Sequence, residues 1–222
     1  QRADPQVAWL KENVGEETVF NITGNNIVKG SFALPTLRWF IDNRPDLIDE
    51  TEKFLIPNGF IIKKLTDKYS IDKPRSGLTL LNDLKTGTWS SEIVKKAQIP
   101  ESILPPIFNS CEIVGYVTKQ AAQSTGLKAG TPVAAGAIDT ISATIGAGAV
   151  NPGDCAITIG SSGRICQISK DPVFKPHILT TASAFPNLFT AVQTTDNAGI
   201  SLKWFRDTFG KMILPDALSA GI

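Results

Sequence analysis

Asp139 and the segment Ile159-Gly160-Ser161-Ser162-Gly163-Arg164 have residue types and spacing that can do chemistry. Asp139 follows the apolar run 131–136 (TPVAAG) and precedes the small-residue run 140–150. In open α/β sheets ligands bind beyond the carboxyl ends of strands. A carboxylate there can accept a proton from a substrate hydroxyl as general base. It can equally cap the helix it begins, because a carboxylate at a helix N-terminus satisfies free N–H groups and suits the dipole. Position alone leaves both readings open. In the second segment, glycines allow a tight turn and close approach to a ligand, and successive N–H groups with two hydroxyls can cradle phosphate oxygens. An ordinary hairpin turn has the same composition. The segment is neither a Walker A loop, which needs a Gly-Lys-Ser/Thr end, nor a nucleophile elbow, which needs a strand-to-helix G-x-S-x-G.

Other polar residues offer less. Asp67, Asp72 and Asp83 surround a loop-rich stretch and are expected to be solvated or turn-forming. Lys63-Lys64 and Lys95-Lys96 read as solvated helix faces, and His177, after Lys175-Pro176, as a surface loop residue. One His and three Cys (Cys111, Cys155, Cys166), with no C-x-x-C pair, give no zinc site. Reduced, partly buried thiols are expected. A lone His also leaves a Ser-His-Asp hydrolase unsupported.

The elements that must carry these residues change character along the chain. The first half reads as short helices joined by Pro-marked turns. Asp4-Pro5 reads as an N-cap with Pro at N1, followed by Val7, Leu10 and Val14 on one face. Pro35 opens a helix that ends before Pro45, residues 58–66 form another, and Ser90 caps one near 92–96. Trp9, Trp39, Phe40, Phe54 and Trp89 are expected in the core. From Cys111 onward, 112–117 (EIVGYV) reads as a strand. Residues 118–125 read as a helix stopped by Gly126. Residues 131–136 read as a buried strand, and 140–150 as a helix able to pack closely. The runs 155–159 and 164–168 form a hairpin. A strand at 188–194 then precedes a helix at 198–209, with Thr195, Asp196 or Asn197 as cap. The expected order after Cys155 is strand, strand, strand, helix.

The whole-chain arithmetic limits the class. The 222 residues carry 22 Lys+Arg against 21 Asp+Glu, a net charge of +1, which counts against a nucleic-acid or anionic-membrane binder. A content of 42% hydrophobic residues excludes a disordered chain, and 18 Gly without a three-residue period exclude collagen. Residues 131–150 resemble a membrane span, but Asp139 at mid-span costs roughly 2.5–3.5 kcal/mol on insertion scales. The stretch reads instead as a buried strand and helix. No signal-peptide pattern opens the chain, so a cytoplasmic location is expected.

Taken in order and spacing, these residues resemble the FGGY carbohydrate kinases, the group that includes xylulose, gluconate and glycerol kinases. Residues 131–139 (TPVAAGAID) resemble the family's strand ending in its catalytic aspartate, and 146–154 (GAGAVNPGD) the following helix end and turn. Residues 157–165 (ITIGSSGRI) resemble its phosphate hairpin, and 197–207 (NAGISLKWFRD) the helix after the third strand. Residues 65–89 are similar to its loop and hairpin ending in Trp, and Gln1-Arg2 to the tail of its D-x-R segment.

The resemblance implies an α/β, actin-like ATPase fold of two ribonuclease-H-like domains, both incomplete in this chain. Residues 1–150 would be the later part of the N-terminal domain and 151–222 the start of the C-terminal one, joined near 150–154. It implies transfer of the γ-phosphate of Mg-ATP to a sugar or polyol hydroxyl. Asp139 would be the general base and Thr140 a substrate contact. Gly160, Ser161, Ser162 and Gly163 would hold the phosphates, with Gly199 and Lys203 near the nucleotide. The expected cofactors are ATP and Mg²⁺, and the expected partner is a small sugar. A homodimer is among the expected assemblies, with no nucleic acid and no membrane. A pentulose such as xylulose is the first expected acceptor and gluconate or another sugar acid or polyol the next.

Departures from the family pattern bear on specificity. Ala137-Ile138 replace a Gly pair before the aspartate, Thr140 replaces an Asn or Gln after it, and Ser161 replaces the usual Thr of the hairpin. Ser31 stands where glycerol kinases place a Tyr, which counts against glycerol. The family's N-terminal phosphate hairpin and C-terminal adenine-binding glycines are absent from these 222 residues, so the isolated chain is expected to have little or no kinase activity. The competing expectations are a non-catalytic sugar-binding module and an actin-like ATPase of another type.

Overall fold

The computed structural model describes residues 2–28, 30 and 32–210; Gln1 and Ser31 lie outside the described residues. The first half is helical. α1 (Asp4–Leu10) runs through a π turn at Lys11–Gly15 into α2 (Glu16–Thr23). Then come α3 (Ala33–Asn43), α4 (Pro45–Asp49) and α5 (Pro57–Thr66). The start of α1 differs from expectation: Ala3 is the N-cap and Asp4 the first helical residue. Leu10 and Val14 are buried with Val19, Leu34, Leu37, Leu80, Leu81 and Ile93 in one core, and Trp9, Phe54 and Trp89 pack against it. Trp39 and Phe40 remain half-buried, edge to face with each other beside Arg2 at a surface recess. Arg38, on the opposite face of α3, is the charged residue in that core. Its guanidinium lies 4.4 Å over the Trp9 ring and donates to the Ala97 carbonyl at 3.2 Å.

Short elements then alternate. β1 (Ile71–Asp72), α6 (Lys73–Gly77), β2 (Asn82–Asp83), β3 (Thr88–Trp89) and α7 (Ser91–Lys96) lead to β4 (Ile107–Phe108). β1 pairs with β4 in parallel. β5 (Ile113–Tyr116), α8 (Lys119–Thr125) and β6 (Pro132–Ala134) follow. α8 is bounded as its sequence requires: the Thr118 hydroxyl accepts from the Ala121 N–H at 3.1 Å, and Gly126 stops the helix at φ 76°.

α9 (Asp139–Gly146) precedes a four-stranded antiparallel sheet: β7 (Cys155–Ile159), β8 (Gly163–Ser169), β9 (Leu179–Ala182) and β10 (Phe189–Thr195), in spatial order β7-β8-β10-β9. α10 (Gly199–Phe205) ends the described chain with a π turn at Arg206–Gly210.

Several expectations are corrected. β6 is exposed except for half-buried Val133, because it pairs only with β5 and packs a single face against Ile62 and Val114. α9 does not pack closely: a Cβ on Gly146 would meet nothing within 4 Å, and only Ile141 and Thr144 are buried. β9 is a fourth strand that its short sequence, LTTA, did not announce. No side chain caps α10; its cap residue is Ala198. Asp72 is buried, with 1% exposure, although it does form a turn as helix cap. Of the thiols, Cys166 is buried while Cys111 and Cys155 are exposed. Among the described residues no helix is long and apolar enough to cross a membrane.

Candidate active site

The hairpin of β7 and β8 closes at Ile159↔Gly163, and its tip turns on the Gly160 N–H, which donates to the Ser162 carbonyl at 2.8 Å. That N–H is therefore spent inside the turn. The Gly160 carbonyl accepts from the Gly199 N–H at 2.9 Å and the Ser161 carbonyl from the Ala198 N–H at 2.9 Å. This explains why α10 needs no side-chain cap: the hairpin satisfies donors that a helix start leaves unpaired.

The approach is so close that a Cβ on Gly199 would lie 2.5 Å from the Gly160 carbonyl oxygen. One on Gly163 would lie 2.9 Å from Thr195 Cγ2. Hairpin and helix enclose an open cleft of about 630 Å³, with Gly160 and Ser161 on one side and Gly199, Lys203, Trp204 and Asp207 on the other. Four of the residues expected at a nucleotide, Gly160, Ser161, Gly199 and Lys203, thus meet in one cleft. Ser162 is exposed at the tip, and Gly163 is buried against Thr195 and Ala198 rather than lining the cleft. Neither serine hydroxyl has a hydrogen-bond partner among the described residues, so both are open to a ligand. Asp207 pairs with its neighbour Arg206 at 2.7 Å, whereas Lys203 has no ion-pair partner among the described residues.

Asp139 is the first residue of α9, with its side chain exposed. The expected apolar strand upstream of Asp139 is β6, which pairs antiparallel with β5 in a two-stranded sheet. The Asp139 Oδ1 accepts from the Thr140 N–H at 2.6 Å and from the Thr140 hydroxyl at 3.1 Å. One oxygen thus serves a first-turn N–H, as a cap would, and Oδ2 has no protein partner among the described residues. Asp139 does not line the cleft between hairpin and helix. It is linked to the hairpin through Thr140, whose hydroxyl accepts from Nη1 of Arg164 on β8.

Between α9 and β7, the N–H groups of Asn151 and Val150 donate to Asp154 at 2.8 and 3.0 Å, holding its carboxyl below the usual range. That turn fixes how α9 meets the hairpin. Sequence reading included Arg164 in the hairpin motif and gave it no role. Its partner lies 24 residues upstream, so no local spacing could reveal it.

A glycine–serine hairpin docked on a helix, with a carboxylate joined to it by hydrogen bonds, presents free hydroxyls and an open carboxylate oxygen to a ligand. Comparison with known proteins identifies the family. Residues 1–146 match the model of the N-terminal domain of the FGGY family of carbohydrate kinases, and the chain belongs to that family. It is 31% identical over 210 residues to the xylulose kinase of Bacillus subtilis, covering 94% of this chain and 42% of that protein. It is 29% identical to the autoinducer-2 kinase of Yersinia enterocolitica, covering 94% of this chain and 40% of that protein. The crystal structure of xylulose kinase from Rhodospirillum rubrum superposes with a TM-score of 0.89 at 28% identity, over 99% of this chain and 44% of that one. The fold is accordingly that of the actin-like ATPases, of which this chain forms part. The chain spans less than half the length of these relatives.

Proposed function

We propose that the full-length protein transfers the γ-phosphate of ATP to a hydroxyl of a small sugar, with a pentulose such as xylulose first and gluconate or another sugar acid or polyol next. The observation that carries this reading is that Oδ2 of Asp139 has no partner among the described residues, on a carboxylate tied to the glycine–serine hairpin. In this mechanism Oδ2 takes the proton of the attacking hydroxyl, the new O–P bond forms between the hydroxyl's oxygen and the γ-phosphorus, and ADP leaves with the electrons of the broken bond between that phosphorus and the bridging oxygen. Thr140 contacts the acceptor. Ser161 and Ser162 offer hydroxyls to the phosphates, Gly160 and Gly163 shape the turn that presents them, and Lys203 beside Gly199 offsets their charge in the cleft. Among the described residues no group of three His, Cys, Asp or Glu side chains could hold a metal ion. Mg²⁺ is treated in this scheme as part of the nucleotide substrate, and no step is assigned to it.

The test is ADP release by the full-length protein with ATP and a panel of xylulose, ribulose, gluconate, glycerol and autoinducer-2. Acceptor-dependent release is expected, and Asp139→Asn should lower kcat by about 10²–10⁴-fold. Acceptor-independent release would point to another actin-like ATPase. Calorimetric sugar binding without ATP binding would point to a non-catalytic module. Either result overturns the proposal, as does an Asp139→Asn variant with full turnover.

A further inference from the structure

Arg164 follows Gly163 on β8 and is exposed, yet it does not simply extend into water. Its Nη1 donates to Oγ1 of Thr140 on α9, and among the described residues that is its one side-chain hydrogen bond. It forms no ion pair with Asp139 there, so the carboxylate is not neutralised directly. The chemistry of the three groups sets the direction of the chain. A guanidinium has only donors, so Thr140 Oγ1 must accept from it. The hydroxyl's single proton is then left for Asp139 Oδ1, 3.1 Å away. With the Thr140 N–H donating to the same oxygen at 2.6 Å, Oδ1 is occupied twice and the carboxylate plane is held. Both links of the chain are charge-assisted, the first by its guanidinium donor and the second by its carboxylate acceptor.

We infer that Arg164 is a positioning residue for phosphoryl transfer. Through Thr140 it locks the rotation of Asp139 and makes the orientation of the base depend on the hairpin being in place. Resting on the assignment of Asp139 as base, the inference adds a coupling between two parts of the site that are remote in sequence. A hairpin that shifts away from α9 releases the Thr140 hydroxyl, and Asp139 loses its fixed aim. An orienting group of this kind acts on the transition state and leaves ground-state binding unchanged.

The experiment compares Arg164→Met, Arg164→Lys, Thr140→Val and the Met/Val double variant in the full-length protein. It uses ATP and xylulose, or the best acceptor of the panel above, with both substrates varied. Arg164→Met should lower kcat by roughly ten- to a hundredfold, as small misplacements of reacting groups do, with both KM values within about twofold. Arg164→Lys, which can still donate to the hydroxyl, should recover part of the loss. Adding Thr140→Val to Arg164→Met should cost less than Thr140→Val alone. Should Arg164→Met fail to fold, Arg164→Gln, whose amide N–H can still donate to the Thr140 hydroxyl, against Arg164→Leu reads the same link: the glutamine variant retains more kcat than the leucine variant. Unchanged kcat, additive losses, or a raised KM for ATP at constant kcat would overturn the inference, the last by making Arg164 a phosphate contact. If Asp139→Asn is inactive while Arg164→Met is fully active, only this inference fails. If Asp139→Asn is active, or no acceptor turns over, the assignment of the base fails and this inference with it.

Discussion

At position 199 one methyl group decides whether the hairpin can dock. The added Cβ would meet a backbone oxygen, Gly160 O, at 2.5 Å, and backbone cannot step aside as a side-chain tip can. Gly199→Ala should therefore push the tip away from α10 and weaken the bond from its own N–H to that oxygen. The expected result is a loss of about 1–3 kcal/mol in chemical denaturation, the usual range for overpacking, together with a raised KM for ATP. Gly146 provides the contrast. A Cβ there meets nothing within 4 Å, and the residue closes α9 in an ordinary helical conformation. Gly146→Ala should stabilise the protein by about 0.5–1 kcal/mol by removing backbone freedom from the unfolded chain, without affecting the cleft. The two substitutions are chemically identical, so a similar effect from both would refute the packing argument.

The element that most depends on one ionisable side chain is α6. Asp72 ends β1 and caps α6, its Oδ1 accepting from the Arg75 N–H at 2.9 Å and its Oδ2 from Asn58 Nδ2 at 2.8 Å. Burial raises its pKa above the usual carboxylate value, against the opposing pull of these hydrogen bonds. A raised folded-state pKa means that the native state holds the proton more tightly than the unfolded chain. Its contribution to stability is full below the ordinary value near 3.8 and is lost as pH rises through the folded value. Asp72→Asn keeps an oxygen for the Arg75 N–H, and Asn58 can turn its amide to accept. The stability of this variant relative to the parent should therefore increase between pH 4 and pH 7 in urea titrations. Asp72→Ala, which loses the cap, should cost about 1–2 kcal/mol. The turn at Asp72 was legible locally, but its burial was not. The caps at Ser90 and Gly126 could be read from sequence because each is settled within four residues. Asp72 is buried because β1 pairs with β4, 36 residues later, which no window around it reveals.

Across the whole molecule, β9 fastens the later sheet to the helical first half. Asn25, 1% exposed, acts as a substitute strand: its Nδ2 donates to the Thr180 carbonyl at 2.8 Å and its Oδ1 accepts from the Thr180 N–H at 3.0 Å. Next to it, Thr181 donates to the Pro74 carbonyl, and a Cβ on Gly77 would press on the Thr181 hydroxyl at 2.5 Å. Leu179 packs against the main core. The edge of β9 is thus closed by residues about 100 to 155 positions earlier in the chain. That distance is why LTTA could be passed over in the sequence while the β7–β8 hairpin, with its partners four to twelve residues apart, could not. The same fastening joins the hairpin's sheet to the helical first half, and Arg164 links the hairpin to α9, which carries Asp139. Asn25→Ala strands two buried backbone groups on β9, and each unsatisfied group costs about 1–3 kcal/mol. Thermal unfolding of Asn25→Ala should show a lowered midpoint, and hydrogen exchange should report earlier opening of β9 and β10 than of α3 or α7. Protection lost evenly across the first half and the sheet would mean that Asn25 serves the core in general. Unchanged protection at β9 would show that Thr181 and Leu179 hold the strand without it.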